Sequence, residues 1–142
     1  MNIKIKLIEG GKAPVYKYME DSCADCYSRI KEGALKIPAG ERRIIPLGFA
    51  IELPTGYEAV IRPRSGLSKK GLDGVIGTID GGFRSEVSAC MINNTGEEQT
   101  IVNGARICQM KIQEAHQFNF VQVDELSESD RGENGWGSTG MM

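Results

Sequence analysis

Apolar residues recur at every second position in many stretches of this chain, and this pattern limits the possible folds most strongly. Near the start, Ile3, Ile5 and Leu7 alternate with lysines, which is typical of a half-buried β-strand. Further strand-like runs are RRIIPLGFAIEL, YEAVIRPR, EVSACMINN, QTIVNGARICQMKI and FNFVQV. The only helix candidate is the short stretch GLSKKG at residues 66–71. The pattern therefore predicts a protein built almost entirely of β-strands.

Turn-forming residues separate these runs at short intervals. The clearest examples are PAGE at 38–41, PTG at 54–56 and NNTGEE at 93–98. Asn103-Gly104, which lies between two apolar runs, is typical of a β-hairpin. Many short strands with turns at this spacing predict a sandwich or barrel. We expect one all-β domain, a jelly roll or distorted β-barrel, over residues 1–126 and a flexible tail over residues 127–142.

Length and charge narrow the class of protein. A chain of 142 residues corresponds to one domain and can bury a sufficient core without metals or disulfides. The net charge is −2 with both signs mixed, so the sequence has no basic stripe for nucleic acid. No apolar run approaches the roughly 20 residues of a membrane span, and no signal-peptide block opens the chain. We expect a cytoplasmic protein that binds neither nucleic acid nor membrane.

The four cysteines allow more than one interpretation. Cys23 and Cys26 have the C-x-x-C spacing of a redox pair or of half a zinc site. A zinc site needs two more ligands nearby, and Cys90, Cys108 and the lone His116 are isolated in the sequence. A redox pair usually opens a helix, and no helical pattern follows here. We expect four reduced thiols, three of them buried.

Four stretches carry residue types suited to phosphate chemistry, and the first is RPRSGLS at residues 62–68. Here Arg62 and Arg64 stand beside Ser65 and Gly66, directly after a predicted strand. A guanidinium, a hydroxyl and glycine-freed backbone N–H groups together hold phosphate oxygens. The alternative is a surface loop with two solvated arginines.

The second stretch is GTIDGGFRSE at residues 77–86. Asp80 follows an apolar run and precedes Gly81-Gly82, where the missing side chains let a ligand approach the backbone. A carboxylate in such a pocket can orient and deprotonate a water molecule. The alternative is a plain turn, because Asp-Gly is a common hairpin tip.

The third stretch is GARICQMKI at residues 104–112. Arg106 and Gln109 are three positions apart, so a regular strand places them on opposite faces. Only one of them then reaches a given site, unless the strand ends or bulges between them. Gln109 stands among apolar neighbours and needs a hydrogen-bond partner, since burying an unpaired amide is unfavourable. The alternative is a structural glutamine bonded to the backbone.

The fourth stretch is DRGENGWGSTG at residues 130–140, which contains the only tryptophan. Its glycine spacing resembles a phosphate loop, but the lysine is absent and no helix follows. The residues still suit a nucleotide: Trp136 offers a plate for a base, while Ser138 and Thr139 offer hydroxyls for phosphates. The alternative is a disordered tail.

Taken together and in this order, the four stretches resemble the trimeric, all-β deoxyuridine triphosphate nucleotidohydrolases (dUTPases). The most specific parts are PRSGL at 63–67, G-x-I-D-x-x-F/Y-R-x-E at 77–86 and RGENGWGSTG at 131–140. The resemblance implies a homotrimer of jelly-roll subunits with three active sites at subunit contacts. It also implies hydrolysis of dUTP to dUMP and pyrophosphate, with Mg²⁺ bound mainly through the substrate triphosphate.

The resemblance further implies roles for individual residues. Asp80 would activate the attacking water, and Asp25, in DCYS, would approach the metal through water. The residues implied to bind the substrate's phosphates are Arg64, Ser65, Gly66, Arg106, Gln109, Arg131, Ser138 and Thr139.

The same resemblance implies how the base and the sugar are selected. The segment 71–79, which includes Gly77, would pair uracil through main-chain groups. Phe83 would pack under the deoxyribose and leave no room for a 2′-hydroxyl. Trp136 would stack on uracil when the glycine-rich tail closes as a lid.

Other functions remain open at this point. A dCTP deaminase or bifunctional relative shares the fold and needs a glutamate near the base, a position that Glu86 could fill. A nucleotide-sensing regulator could retain the fold without turnover. A purely structural jelly-roll subunit would leave all four stretches without a role.

Overall fold

The computed structural model describes residues 1–142 and contains eleven β-strands and one short helix. The strands are β1 (Lys4–Leu7), β2 (Ala24–Tyr27), β3 (Ala34–Ile37), β4 (Arg42–Pro46), β5 (Phe49–Glu52), β6 (Tyr57–Pro63), β7 (Leu72–Gly74), β8 (Gly77–Ile79), β9 (Ser88–Asn93), β10 (Gln99–Val102) and β11 (Arg106–Glu114). Helix α1 (Ser65–Ser68) lies between β6 and β7. No helix has the length and apolar character that crossing a membrane requires. The predicted all-β class is confirmed.

The strands form four antiparallel sheets. The largest has the order β2-β11-β6-β8, and a three-stranded sheet has the order β4-β9-β7. Two smaller sheets pair β1 with β5 and β10 with β3. Most neighbours in these sheets are distant in sequence, so the chain crosses repeatedly between sheets. This crossing is the jelly-roll connectivity that the sequence predicted only as a class.

One apolar core lies between the sheets and holds them together. The cluster contains 19 buried residues drawn from all four sheets. Its largest fully buried apolar side chains are Phe49, Ile37, Ile45, Leu47, Met91, Ile107 and Val87. Burial of each large apolar side chain stabilises the fold by about 1.5–3 kcal/mol. In β2 and β9, buried residues alternate with less buried ones, so the alternation there corresponds to inward and outward faces. In β1, however, Ile5 and Leu7 are exposed, so the prediction of a half-buried strand is wrong within this chain.

A buried asparagine fixes the turn between β9 and β10. Asn93 is fully buried, and its Nδ2 donates to the carbonyls of Ile37 (2.8 Å) and Glu97 (2.7 Å). Its Oδ1 accepts from the Thr95 amide at 2.9 Å and from the Thr95 hydroxyl at 2.6 Å. Because both polar atoms of the Asn93 side chain are hydrogen-bonded, the side chain holds this turn rigidly.

The hairpin predicted at Asn103-Gly104 is wrong, although a turn does occur there. Strand β10 pairs with β3, whereas β11 pairs with β2 and β6. The Gly104 amide donates to the Ser28 carbonyl (2.9 Å), and the Ala105 amide donates to the Ser28 hydroxyl (3.1 Å). Gly104 has φ +76°, which glycine adopts without strain. The chain thus turns around Ser28 and passes into another sheet.

The predicted strand FNFVQV at residues 118–123 is not a strand within this chain. Strand β11 ends at Glu114, and every later residue except Ala115 is exposed. Phe120, for example, is fully exposed. We call residues 115–126 the C-terminal arm. Its apolar residues have no partner strand within the chain, which the period-two pattern alone could not reveal.

The cysteines are free thiols, but two rather than three are buried. Cys26 and Cys108 lie opposite each other on β2 and β11, while Cys23 and Cys90 are only partly buried. A hydrogen bond with Cys108, together with burial, raises the pKa of the Cys26 thiol far above its ordinary value. Cys26 therefore stays protonated and packs as a small apolar side chain.

Candidate active site

Two arginines meet one carboxylate where β2, β6 and β11 lie near one another. Asp25 Oδ1 lies 3.1 Å from Arg64 Nε, and Asp25 Oδ2 lies 3.6 Å from Arg106 Nη1. Arg64 Nη1 also donates to the Arg106 carbonyl at 3.0 Å. We call these three residues and Gln109 the arginine cluster. Two guanidinium groups against one carboxylate leave one positive charge, which suits an anionic ligand.

A bulge in β11 brings Arg106 and Gln109 to the same face of the sheet. The pairing with β2 shifts register between Arg106 and Cys108, so β11 carries one extra residue there. Gln109 lies directly opposite Asp25, and Arg106 reaches the same carboxylate. The sequence allowed this arrangement only if the strand bulged, and it does. Gln109 Nε2 also donates to the Pro63 carbonyl at 3.0 Å, which supplies the partner that its amide needs.

Ser65 and Gly66 begin helix α1, immediately after Arg64. Both residues are exposed. A Cβ added to Gly66 would meet no atom within 4 Å, and its φ is outside the left-handed region. The fold itself therefore does not require glycine at this position. The open space suits a ligand that approaches the backbone from solvent.

Asp80 lies on a separate loop after β8, which we call the Asp80 loop (residues 80–83). The Phe83 amide donates to the Asp80 carbonyl at 3.0 Å, with Gly81 and Gly82 between them. Arg84 Nη1 donates to the carbonyls of Gly81 (2.7 Å) and Phe83 (3.1 Å) and so braces the loop. Both Asp80 and Phe83 are exposed. The bracing role of Arg84 was not predicted.

The Asp80 loop borders an open cleft of about 870 Å³. One wall is the turn between β5 and β6, and the other is the start of the C-terminal arm. The lining residues include Tyr57, Glu58, Asp80, Gly81, Arg84 and His116. The arginine cluster does not line this cleft.

Strand β6 keeps the arginine cluster and the Asp80 loop apart. Asp80 follows Ile79, which pairs with Ala59 near the start of β6. The arginine cluster lies at the opposite end of β6, around Pro63. At about 3.3 Å per residue, residues 58–64 span roughly 20 Å. One chain therefore does not bring these two sets of predicted residues to the same point.

The glycine-rich tail forms a third, separate set. Arg131 Nε donates to the Asn134 carbonyl at 2.9 Å, and the Ser138 amide donates to the Gly135 carbonyl at 3.1 Å. The tail residues that border its own hollow of about 310 Å³ are Arg131, Gly135, Trp136, Gly137, Ser138 and Thr139. Trp136 is fully exposed. All hydrogen bonds of residues 127–142 stay within residues 127–142.

A bidentate ion pair anchors the segment that follows the Asp80 loop. Arg29 Nε and Nη2 donate to the two carboxylate oxygens of Glu86 at 2.6 and 2.7 Å, and the Gly48 amide donates at 3.0 Å. Hydrogen bonds from Arg29 lower the pKa of Glu86 from its ordinary 4.5. The sequence did not predict this pair, because its members are 57 positions apart.

Comparison with known proteins gives the family. Residues 11–140 match the family model described as dUTPase. The chain belongs to the dUTPase family. The deoxyuridine 5′-triphosphate nucleotidohydrolase of Finegoldia magna is 39% identical over 97% of this chain and 99% of its own length. That of Caldanaerobacter subterraneus subsp. tengcongensis is 41% identical over 98% of this chain and 97% of its own length.

Comparison with solved structures shows that the fold, too, is that of dUTPases. A variant of the dUTPase of Staphylococcus bacteriophage 80alpha, in complex with dUpNHpp, is 25% identical. It superposes with a TM-score of 0.91 over 99% of both chains. A mutant dUTPase from phage phi11 of S. aureus, described with a structural Mg(II) ion, has a TM-score of 0.80 at 22% identity. The latter covers 88% of this chain and 98% of its own. The jelly roll of this dUTPase-family chain is thus shared with phage proteins.

The Arg29–Glu86 pair should make stability depend on pH. A carboxylate whose pKa is lower in the folded chain stabilises the fold at neutral pH, and this contribution disappears as pH falls through the folded pKa. Glu86→Gln should therefore lower the free energy of unfolding at pH 7 by about 1–3 kcal/mol. The difference from wild type should shrink as pH falls below 4.5.

Urea unfolding across this pH range measures both effects. Glu52→Gln is the matched control, because Glu52 is exposed on β5 and has only a 3.5 Å contact with Lys4. This control should change stability little at any pH. A Glu86→Gln deficit that stays constant down to acidic pH would contradict the assignment.

Proposed function

We propose that this chain hydrolyses dUTP to dUMP and pyrophosphate as a cytoplasmic homotrimer with sites at subunit interfaces. The observation that carries the proposal is the arginine cluster. In it, residues matching two separate dUTPase motifs converge on Asp25 across the bulge in β11. Its positive charge suits the triphosphate. A reducing cytoplasm is in keeping with the four free thiols.

The distance along β6 supports a site shared between subunits. The water-activating Asp80 and the phosphate-binding arginines must act on the same reacting phosphorus, yet one chain holds them roughly 20 Å apart. In a closed cyclic trimer, the Asp80 loop of one subunit can face the arginine cluster of the next. Each site then combines the Asp80 loop of one chain with the arginine cluster of another.

The C-terminal arm supports the same assembly. Its exposed apolar residues are Phe118, Phe120, Val121, Val123 and Leu126. An extended apolar segment without a sheet in its own chain is suited to adding a strand to another subunit. If the arm added a strand to another subunit, it would also carry the tail, with Arg131 and Trp136, to a site on that subunit. We infer that residues 127–142 act there as a lid.

The proposed reaction follows from the charges of the arginine cluster, the Asp80 loop and the glycine-rich tail. Asp80 accepts a proton from a water molecule that attacks the α-phosphorus in line with the departing pyrophosphate. Arg64, Arg106 and Arg131 stabilise the negative charge that develops on the phosphate oxygens. Ser65, Gln109 and the open backbone at Gly66 add hydrogen bonds, as do Ser138 and Thr139 of the lid.

The residues fit a Mg²⁺ ion that arrives with the triphosphate. Both oxygens of Asp25 face guanidinium groups, and the chain has no group of three or more His, Cys, Asp or Glu suited to holding a metal ion. Asp25 would therefore reach the ion only through water. When bound, Mg²⁺ supplies positive charge to the triphosphate.

Selection of the nucleoside rests on the segment at 71–79 and on two rings. Gly77 lies opposite Ile61, and a Cβ there would meet only Ile61, at 3.8 Å. Packing within the chain thus leaves room for uracil to approach the main chain at Gly77. Phe83, exposed at the end of the Asp80 loop, would pack on the deoxyribose, and Trp136 would stack on the base.

The structure speaks against deamination through Glu86. Its carboxylate oxygens accept hydrogen bonds from Arg29 and from the Gly48 amide. A carboxylate committed to this ion pair, with a lowered pKa, is a poor proton carrier for chemistry at a cytosine ring.

Pyrophosphate release, measured in parallel on dUTP, dTTP, dCTP and UTP with Mg²⁺, tests the proposed function. We expect dUTP to be hydrolysed at least about tenfold faster than the other three, because base methyl, base amino and sugar hydroxyl groups are each excluded. Ammonia release from dCTP should be absent. Equal rates on dUTP and UTP would contradict the role of Phe83.

Asp80→Asn tests the catalytic base directly. The amide cannot accept the proton, so kcat for dUTP should fall by about 10²–10⁴-fold. Binding of dUpNHpp, followed by calorimetry, should change little. Glu9→Gln, at an exposed loop position, is the matched control and should keep wild-type kcat. A fully active Asp80→Asn protein would rule out this assignment.

Removal of residues 130–142 tests the lid. Loss of Arg131 and of the closing tail should lower kcat by about a hundredfold or more, because developing charge loses a cation and the site loses its cover. Removal of Met141 and Met142 alone is the control and should leave kcat unchanged. If the longer deletion also keeps full kcat, the tail is not a lid.

A further inference from the structure

The Asp80 loop carries two residues with different proposed tasks on a short and intrinsically loose segment. Asp80 would activate the water, and Phe83, three positions later, would pack on the deoxyribose. Only Gly81 and Gly82 separate them, and one backbone hydrogen bond, from the Phe83 amide to the Asp80 carbonyl at 3.0 Å, closes the turn. Because glycine has the greatest backbone freedom, this bond alone leaves the two side chains poorly fixed relative to each other. Other contacts must therefore hold the loop.

The chain just beyond the loop is firmly attached to the rest of the subunit. Glu86 accepts the two hydrogen bonds of its ion pair with Arg29, at 2.6 and 2.7 Å, and a third from the Gly48 amide at 3.0 Å. The next residue, Val87, is buried, and its amide donates to the Phe49 carbonyl at 2.8 Å. The segment that starts at Glu86 is therefore fixed against β5 and the residue before it.

Arg84 connects this fixed segment to the Asp80 loop. Its side chain turns back along the chain, and Nη1 donates to the carbonyls of Gly81 at 2.7 Å and of Phe83 at 3.1 Å. These two carbonyls lie on either side of Gly82. Hydrogen bonds from a charged guanidinium are stronger than those between neutral groups, and the group is rigid and planar. Arg84 therefore restricts the peptide groups that separate Asp80 from Phe83.

Gly81 is held at a second point, by strand β6. A Cβ added to Gly81 would lie 3.1 Å from the Tyr57 carbonyl oxygen, so the loop backbone approaches the start of β6 closely. A Cβ added to Gly82 would meet no atom within 4 Å. Packing against the subunit thus fixes only the first half of the loop. The half that leads to Phe83 depends on the guanidinium of Arg84.

We propose that Arg84 is a positioning residue, which sets Asp80 and Phe83 together and so couples activation of the water to selection of deoxyribose. The inference rests on the proposed function. Arg84 touches neither the substrate nor the water in this account, and it acts through the carbonyls of Gly81 and Phe83. Its loss should therefore slow the chemical step and weaken sugar selection, while the base and the phosphates still bind.

Turnover by Arg84→Ala tests the coupling. The kcat for dUTP should fall about 10- to 100-fold, because a small displacement of the catalytic base slows the reaction strongly. The ratio of kcat/KM for dUTP to kcat/KM for UTP should fall about tenfold, because Phe83 no longer blocks the 2′-hydroxyl reliably. The Kd of dUpNHpp, measured by calorimetry, should change little, since its base and phosphates contact other residues.

Hydrogen exchange in the nucleotide-free protein tests the placement of the loop itself. In Arg84→Ala, the Phe83 amide should exchange about tenfold faster, because the turn that protects it loses its bracing contacts. The Val87 amide, bonded to Phe49 beyond the loop, should exchange at the wild-type rate and so serves as an internal reference.

Two further variants separate positioning from a general loss of structure. Arg84→Lys can still donate to the same carbonyls, so it should recover about half of kcat or more. Arg42→Ala is the matched control, because Arg42 is exposed on β4 and its guanidinium has no hydrogen-bond or ion-pair partner within the chain. This control should keep wild-type kinetics and exchange.

The outcomes distinguish this inference from the proposed function. If wild type hydrolyses dUTP and Arg84→Ala keeps either its kcat or its preference for dUTP over UTP, the coupling is overturned while the proposed function stands. A loss of dUpNHpp affinity as large as the loss of kcat would overturn it as well, because Arg84 would then bind substrate itself. If wild type releases no pyrophosphate from dUTP, the proposed function fails, and exchange at Phe83 alone decides whether Arg84 holds the loop.

Discussion

Strand β6 lies between β11 and β8, and the functional geometry of the molecule depends on these two pairings. On one side, β6 pairs with β11 and leads into Arg64, so the arginine cluster forms at its end. On the other side, β6 pairs with β8 and sets Asp80 beside its beginning. The hydrogen-bonded ladders fix both registers, so the two groups cannot meet by side-chain motion. This register is the main support for the proposal that the site is completed by another copy of the chain.

The exposed parts of the fold are consistent with that requirement. Apolar residues of the C-terminal arm remain in solvent in the single chain, and the tail beyond it makes hydrogen bonds only to itself. The exposed apolar side chains are unfavourable in an isolated chain, and both features are in keeping with the proposed transfer of the arm to another subunit. By contrast, the core, the Asn93 turn and the Arg29–Glu86 pair are complete within one subunit. Under the proposed function, folding of the subunit and completion of the site would therefore be separate steps.

The fold class could be predicted from the sequence because it depends on local patterns, and the predicted chemistry of the site rests on local patterns too. Alternation predicts strands, and the arginine, serine and aspartate motifs are contiguous. What it missed depends on pairing between distant segments. Asn103-Gly104 was predicted as a hairpin, yet Ser28 directs the chain to another sheet. The bulge that aligns Arg106 with Gln109 is visible only in the register against β2, and Asp73 meets Asn94 from 21 positions away.

Mixed trimers test the shared site most directly. Arg64→Ala and Asp80→Asn subunits, each inactive alone, would be combined in equal amounts by co-refolding, and dUTP hydrolysis measured. If each site takes Asp80 from one chain and Arg64 from another, random assembly leaves about one site in four intact. We predict recovery of roughly a quarter of wild-type activity. A mixture that assembles into trimers but stays as inactive as its parents would show that both residues act from the same chain, which contradicts this account.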